Sequence, residues 1–374
     1  MKKNIEIETK KTELSQDKYS NNLWFLFLKT NLMAMSIAFV MLLITAIGIG
    51  IWGYSKLLRF EKSAGITLKE LKNTVQIGLE QNPTETNNHK NILLLGVDSV
   101  VGRGDVPPLT DTIMLISLNL KTGEINTLPL PRDLWSEKYQ TKINALYFYG
   151  LDRYPNEPEK FTQETIEELT DTPIHHTIVL SLDKLEELID SVNGVTIDIP
   201  KGFIDPEFPR SGVDVTVERD PAILYETVEF KAGTQTLSGE RALKYIRSRH
   251  SEGDEGTDIS RGERQQIVIK ALFTQLLDLK QYVKEPELAG ALYKFYETSF
   301  SEVFPLEEIV STVKTIIPVR ENIMFSSHQL STTKDNPQTG ALDNPRPSYI
   351  YQNQWVYTIN NEDLFRQEIK EALF

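Results

Sequence analysis

Residues 91–120 read NILLLGVDSVVGRGDVPPLTDTIMLISLNL. The first seven form a continuous apolar run of strand length, ended by Gly96 and Asp98, and residues 112–120 form a second run opened by Asp111. Working outward, residues 125–130 predict a third strand, joined to the second by the turn-like Lys121-Thr122-Gly123-Glu124. Residues 142–149 and 163–169 are helix-like, 177–182 strand-like, 182–192 a helix and 195–199 a strand. Ser238 precedes a helix through about residue 246 as its N-cap, and a longer helix spans 261–279. Helices alternating with strands and hairpins predict an α/β domain, a mixed central sheet flanked by helices. Residues 331–347, rich in Asn, Pro and Thr, read as a surface loop; 349–359 predict a strand and 361–373 a terminal helix. So short a segment is a poor core alone, so it is expected to pack on the same domain.

Toward the other end, residues 30–55 are 26 positions without a charge, flanked by Trp24, Phe25, Trp52 and Tyr54. At 1.5 Å per residue this crosses a ~30 Å hydrocarbon core, and no small-x-small cleavage site follows, so a retained transmembrane helix is expected. Residues 1–29 carry six Lys and four acidic groups, and residues 54–73 five basic groups, so charge bias alone leaves orientation open. Apolar positions at three- and four-residue spacing between 56 and 80 predict a helical stalk. The polar QNPTETNNH (81–89), broken by Pro83, reads as a linker. The expected organisation is an N-terminal arm (1–29), a span (30–55), a stalk and linker (56–89), a catalytic domain (90–330) and a C-terminal loop, strand and helix (331–374).

Composition narrows the chemistry. The chain of 374 residues is 40% hydrophobic and 25% charged, which suits a globular core and excludes a many-span membrane protein. A net charge of −13 argues against nucleic acid as a partner, and the absence of cysteine excludes thiolate metal sites, disulfides and thiol nucleophiles. Gly-x-Ser-x-Gly, Walker, Gly-x-Gly-x-x-Gly and His-Glu-x-x-His motifs are absent. The His175-His176 pair opens a strand, so the two rings point to opposite faces and do not grip one metal.

What remains is arginine. Five of 14 arginines, Arg241, Arg247, Arg249, Arg261 and Arg264, fall within 24 residues of an acidic chain. Arg247 and Arg249 share a side in an extended segment, and Arg261 and Arg264 share a helix face. Guanidinium groups gathered in this way suit phosphate oxygens, which they bind in forked geometry. The plainer reading is a set of salt bridges to Glu252, Asp254, Glu255, Asp258 and Glu263. Asp98, Asp111 and the Arg132-Asp133 pair lie at strand ends, where ligands collect in α/β sheets. Carboxylates beside a phosphate-binding cluster suggest Mg²⁺ and metal-assisted phosphoryl chemistry.

The motifs NILLLGVDS, LTDTIMLISLN, LPLPRDLW, KINALYFYG, SVNGVTIDIP, FKAGTQTLSGERALKYIRSR and DISRGERQQ, in that order, resemble the LytR-CpsA-Psr family of envelope phosphotransferases. The resemblance runs from about residue 91 to 277. It implies transfer of a glycopolymer from a polyprenyl-pyrophosphate carrier to a cell-wall acceptor of the peptidoglycan type, forming a phosphodiester. It also implies a domain outside the cell membrane behind a single span whose N-terminus is cytoplasmic. Under it, Asp98 and Asp111 correspond to acidic residues near Mg²⁺ and pyrophosphate. Arg132, Arg247, Arg249 and Arg261 match pyrophosphate-binding arginines, with Arg264 and Gln265 in the same terminal motif. Asp133, Lys142 and Asp258 are expected to hold the site together. One departure stands out: Leu109 occupies the place of a family arginine, and Arg103, upstream in the same loop, is the candidate replacement. A polyprenyl-pyrophosphate hydrolase and a non-catalytic glycolipid-binding or regulatory module remain as alternatives.

Overall fold

The computed structural model describes residues 41–97, 108–210, 213, 217–251, 253–256, 258–334 and 340–374. The chain divides into two units, Met1–Phe60 and Glu61–Phe374. Asp98 and Arg103, and residues 1–40 with the first part of the expected span, lie outside the described residues.

Helix α1, Met41–Ala64, is long and apolar enough to cross a membrane. It does not stop at residue 55 but runs on to Gly65, whose positive φ of 73° ends it. Thr67 then starts α2, Leu68–Glu80, through a capping box with Glu70. The helix expected over 56–80 is thus two helices divided by a glycine and a cap.

The strands β1 His89–Val97, β2 Thr110–Asn119 and β3 Glu124–Leu130 follow, then the short ribbon β4 Trp135–Ser136 and β5 Thr141–Lys142. Next come α3 Leu146–Arg153, α4 Glu159–Thr170, β6 His176–Ser181, α5 Leu182–Ser191, β7 Val195–Ile199 and β8 Phe203–Pro209. The chain continues through α6 Pro221–Leu224, β9 Tyr225–Phe230, β10 Gly233–Leu237, α7 Gly239–Arg247, α8 Asp258–Leu277, α9 Leu279–Lys284, α10 Pro286–Ser299 and α11 Leu306–Ile316. It closes with β11 Met324–Ser327, β12 Leu342–Asp343, β13 Thr358–Ile359 and α12 Glu362–Leu373.

The central sheet has the order β11-β3-β2-β1-β6. Antiparallel pairs β1–β2 and β2–β3 form its middle, and parallel strands flank them at β6 and β11, so the sheet is mixed. Alternation sends Leu93, Leu95, Ile113 and Leu115 to one face, where α3, α4 and α12 close the main core through Leu146, Phe161, Ile166, Phe365 and Ile369. Ile92, Leu94, Met114 and Ile116 point to the other face, covered in part by Ile269 and Phe273 of α8. A separate core joins α5, β7, β8, α7, α8 and α10. Helix α2 belongs to the folded unit: Gly78 lies so close to α11 that a Cβ there would meet the Glu307 carbonyl and Val310 at 2.7 Å.

Two C-terminal expectations change. The stretch read as a surface loop contains β12, with Ala341 and Leu342 buried, because it pairs with β13. The strand expected over 349–359 shrinks to Thr358–Ile359, since Gln352 and Asn353 are both left-handed (φ 54° and 58°) and turn the chain.

Candidate active site

The carboxyl end of β1 reaches β2 through an irregularity between Gly96 and Val97. Gly96 permits the approach: a Cβ would stand 2.8 Å from the Thr112 Cβ. This close pairing sets Asp111 at the sheet edge, one residue past Thr110, whose buried hydroxyl donates to the Asn144 carbonyl at 3.0 Å. The Pro131–Trp135 loop comes to the same edge because the Leu134 carbonyl accepts from Ile143 N–H (2.8 Å) and that of Arg132 from Asn144 N–H (3.2 Å).

Three segments distant in sequence therefore meet. The Arg132 guanidinium donates to one Asp111 oxygen, and Arg249 Nη2 lies 3.8 Å from the other. Arg132 Nε is 3.4 Å from Asp133, which accepts from Lys142 Nζ at 2.7 Å. Arg247, two residues from Arg249, lies over the Phe208 ring at 5.7 Å. Among the described residues, Arg132, Arg249 and Lys142 thus gather around Asp111 and Asp133 in an otherwise acidic chain, an arrangement suited to a polyanion.

Arg264 needs a correction. Expected to bind pyrophosphate, it is only 2% exposed and turned inward. Its guanidinium donates to the carbonyls of Tyr245 (2.9 Å), Ser248 (2.6 Å) and Glu255 (2.8 Å), and it lies 4.8 Å from the Phe203 ring. Burial lowers its pKa against the opposing charge of Glu255, and burial pushes the Tyr245 phenol up to about 12. Arg264 is a clamp beneath the turn that presents Arg247 and Arg249. Arg241 also points away, donating to the Glu229 carbonyl at 2.7 Å and stacking on Phe230. Arg261 is buried near the start of α8, and Gln265 is half-buried one residue past Arg264. The side chain of Asp258 lies outside the described residues. Of the salt bridges the plainer reading expects, the described residues contain Arg264–Glu255.

One residue escaped sequence reasoning. Asp205, wholly buried in β8, accepts the backbone N–H of Arg249 (3.0 Å) and His250 (3.3 Å) on one oxygen and that of Glu207 (3.1 Å) on the other. The signal was available: Asp205 stands two residues after Phe203, on the inward face of an alternating strand.

Among the described residues no three His, Asp or Glu side chains are grouped to cage a metal. Mg²⁺ asks for less, one or two carboxylates with water and substrate phosphate, and the half-exposed Asp111 carboxylate fits that demand.

Proteins of known name are similar to this chain. TagU of Oceanobacillus iheyensis, named a polyisoprenyl-teichoic acid–peptidoglycan teichoic acid transferase, is 26% identical over 275 residues, 73% of this chain and 74% of that protein. TagV of Bacillus subtilis, named for the same activity, is 26% identical over 228 residues, 59% of this chain and 52% of that protein, so the chain spans about half of that relative. The crystal structure of B. subtilis TagV superposes with a TM-score of 0.51 at 20% identity, covering 77% of this chain and 98% of that one, which establishes the shared fold. The LytR_cpsA_psr family model matches residues 54–365, from within α1 to within α12, and the chain belongs to that family.

Proposed function

We propose that this chain transfers an anionic glycopolymer of the teichoic-acid type from a polyprenyl-pyrophosphate carrier to a peptidoglycan acceptor, as the names of its relatives state for them. The observation that carries the reading is Asp111 holding Arg132 and Arg249 together at the strand edge. An acceptor hydroxyl attacks the phosphorus that bears the glycan. A new P–O bond forms, the bridging P–O bond breaks, and polyprenyl phosphate leaves with the electron pair while the hydroxyl proton passes to solvent. Arg132, Arg247 and Arg249 neutralise charge that grows on the departing phosphate. Asp111, already paired with two cations, orients those guanidinium groups. Asp111 and, by the family resemblance, Asp98 would hold Mg²⁺ beside the substrate phosphates, where it would add to the charge neutralisation. The span preceding the domain keeps it beside a lipid-borne donor, and the reading sets the domain on the outer side of the cell membrane.

The test uses the full chain in lipid nanodiscs with a polyprenyl-pyrophosphate-linked glycopolymer, peptidoglycan and Mg²⁺. Polyprenyl phosphate release should accompany glycan attachment; Arg249→Ala should slow both by roughly 10²–10³-fold, and a chelator should abolish both. Release without attachment, with peptidoglycan present, would assign a hydrolase instead.

A further inference from the structure

Residues 344–361 (NPRPSYIYQNQWVYTINN) carry four aromatic rings and six carboxamides but a single charge, Arg346. Tyr349 is 85% exposed and Trp355 44% exposed, in a protein whose other large rings mostly lie in cores. The segment is nonetheless built, not loose. Asn353 N–H donates to the Ser348 carbonyl at 2.7 Å, Asn344 Nδ2 to the Val356 carbonyl at 2.6 Å, and Trp355 packs edge-on against Tyr357 at 4.8 Å. It is also continuous with the site. Tyr357 N–H donates to the Asp133 carbonyl (3.0 Å), the Tyr357 carbonyl accepts from Trp135 N–H (2.8 Å), and Gln352 donates to the Gln140 carbonyl (3.0 Å).

We infer that this segment is the acceptor platform, a saccharide-binding surface on which Tyr349 and Trp355 stack against sugar rings of a glycan strand. This rests on the transferase reading, since a glycan acceptor is required only where the glycopolymer is transferred rather than released. The chemistry favours a sugar over a bilayer. Pyranose rings offer apolar C–H faces for aromatic stacking, and their hydroxyl or acetamido groups suit the donor and acceptor positions left on the carboxamides after Asn344, Gln352, Gln354, Asn360 and Asn361 have bonded within the protein. Rigid aromatics provide contact area with little entropy lost on binding. A membrane-surface segment would instead combine aliphatic residues with several Lys or Arg, and here one arginine stands among six amides.

The experiment reads binding directly, with the full chain in nanodiscs and soluble glycan strands released from purified peptidoglycan as the probe. Tyr349→Ala and Trp355→Ala should each weaken binding about tenfold, the effect of losing one aromatic anchor, and Trp355→Phe should restore most of it. The same Ala variants should raise the acceptor KM in the transfer assay. Tyr349 is so exposed that its truncation does not threaten folding. Glycan binding equal to that of the unaltered chain in both Ala variants would overturn the inference. So would quenching of Trp355 by brominated lipid in the nanodisc, isolated by difference from Trp355→Phe, that the glycan fails to relieve. Ring-dependent glycan binding by a chain that turns over no donor would keep the platform and remove the transferase reading.

Discussion

The buried carboxylate of Asp205 accepts the backbone N–H of Arg249 at 3.0 Å. Strand β8 thereby fixes the turn, directly after Arg247 at the end of α7, from which Arg249 reaches Asp111, though Asp205 itself faces away from solvent. Asp205→Ala should destabilise the fold by about 1–3 kcal/mol for each N–H left unpaired and lower kcat up to about 100-fold through displaced arginines. Asp205→Asn, which keeps one acceptor oxygen, should fall between. Urea unfolding and kcat measured on the same preparations check this; a stable Asp205→Ala variant with full kcat would refute it.

How far the sequence foretold this is uneven, for physical reasons. Strands β1 to β3 were readable because their apolar runs are long and bounded, and Ser238 was readable as a cap because its hydroxyl does accept from Arg241 N–H. Asp111 and Arg132 could be suspected from their places at strand ends, but their pairing depends on a sheet register that spacing does not encode. Arg264 looked like its neighbours because a clamp and a ligand-binding arginine have the same side chain; only the carbonyls of residues 245, 248 and 255 distinguish them. The strand expected at 349–359 failed because two consecutive amide residues adopted left-handed backbone, which Asn and Gln permit without announcing it.

The two arginines on either side of that turn should separate stability from catalysis. Arg264→Lys keeps the charge but loses the planar fork that serves three carbonyls, and should cost about 3 kcal/mol or more, since bonds from a charged donor are worth roughly 1.5–3 kcal/mol each. Arg249→Ala, at an exposed position, should leave unfolding within about 0.5 kcal/mol. It should lower kcat by roughly 10²–10³-fold, as expected for loss of one charge-stabilising donor. Chemical denaturation beside steady-state kinetics tests the contrast, and equal stability losses in both variants would contradict it.

At the opposite end of β1 a buried charge cluster predicts acid sensitivity. Lys90, 0% exposed, pairs with Glu308 of α11 and donates to the Thr84 carbonyl at 3.2 Å, while His176 Nε2 lies 3.8 Å from Glu308. Burial, then the charge of Lys90, holds His175 and His176 below the ordinary imidazole value of 6.5. Burial would raise Glu308, but the bonds from Lys90 and Thr84 N–H outweigh it and leave the carboxyl below its ordinary 4.5. The signs agree. As pH falls below 6.5 the unfolded chain takes up protons that the folded imidazoles resist, so stability declines; below 4.5 the Glu308 contribution is lost as well. Tm should therefore fall in two stages; burial holds His89 below 6.5 as well, so His175→Gln/His176→Gln should shrink the first stage by their share. A fall in Tm between pH 7 and 5 as large in that double variant as in the unaltered chain would exclude the mechanism.

Leu109 offers the remaining test, because it stands two residues from Asp111 where the family resemblance expects arginine. Its side chain is 38% exposed, so a guanidinium can be introduced there without burying a charge. The adjoining Thr110 stays anchored through its bond to Asn144, which keeps the strand start in place. Leu109→Arg adds one phosphate-binding group beside the pair formed by Arg132 and Arg249, and should lower the donor KM about fivefold, equivalent to one charge-assisted contact of ~1 kcal/mol. Leu109→Ala separates that gain from the loss of an exposed apolar side chain. If Leu109→Arg leaves the donor KM unchanged while Arg103→Ala raises it, then Arg103 already fills this role, and the sequence has moved its arginine along the loop rather than lost it.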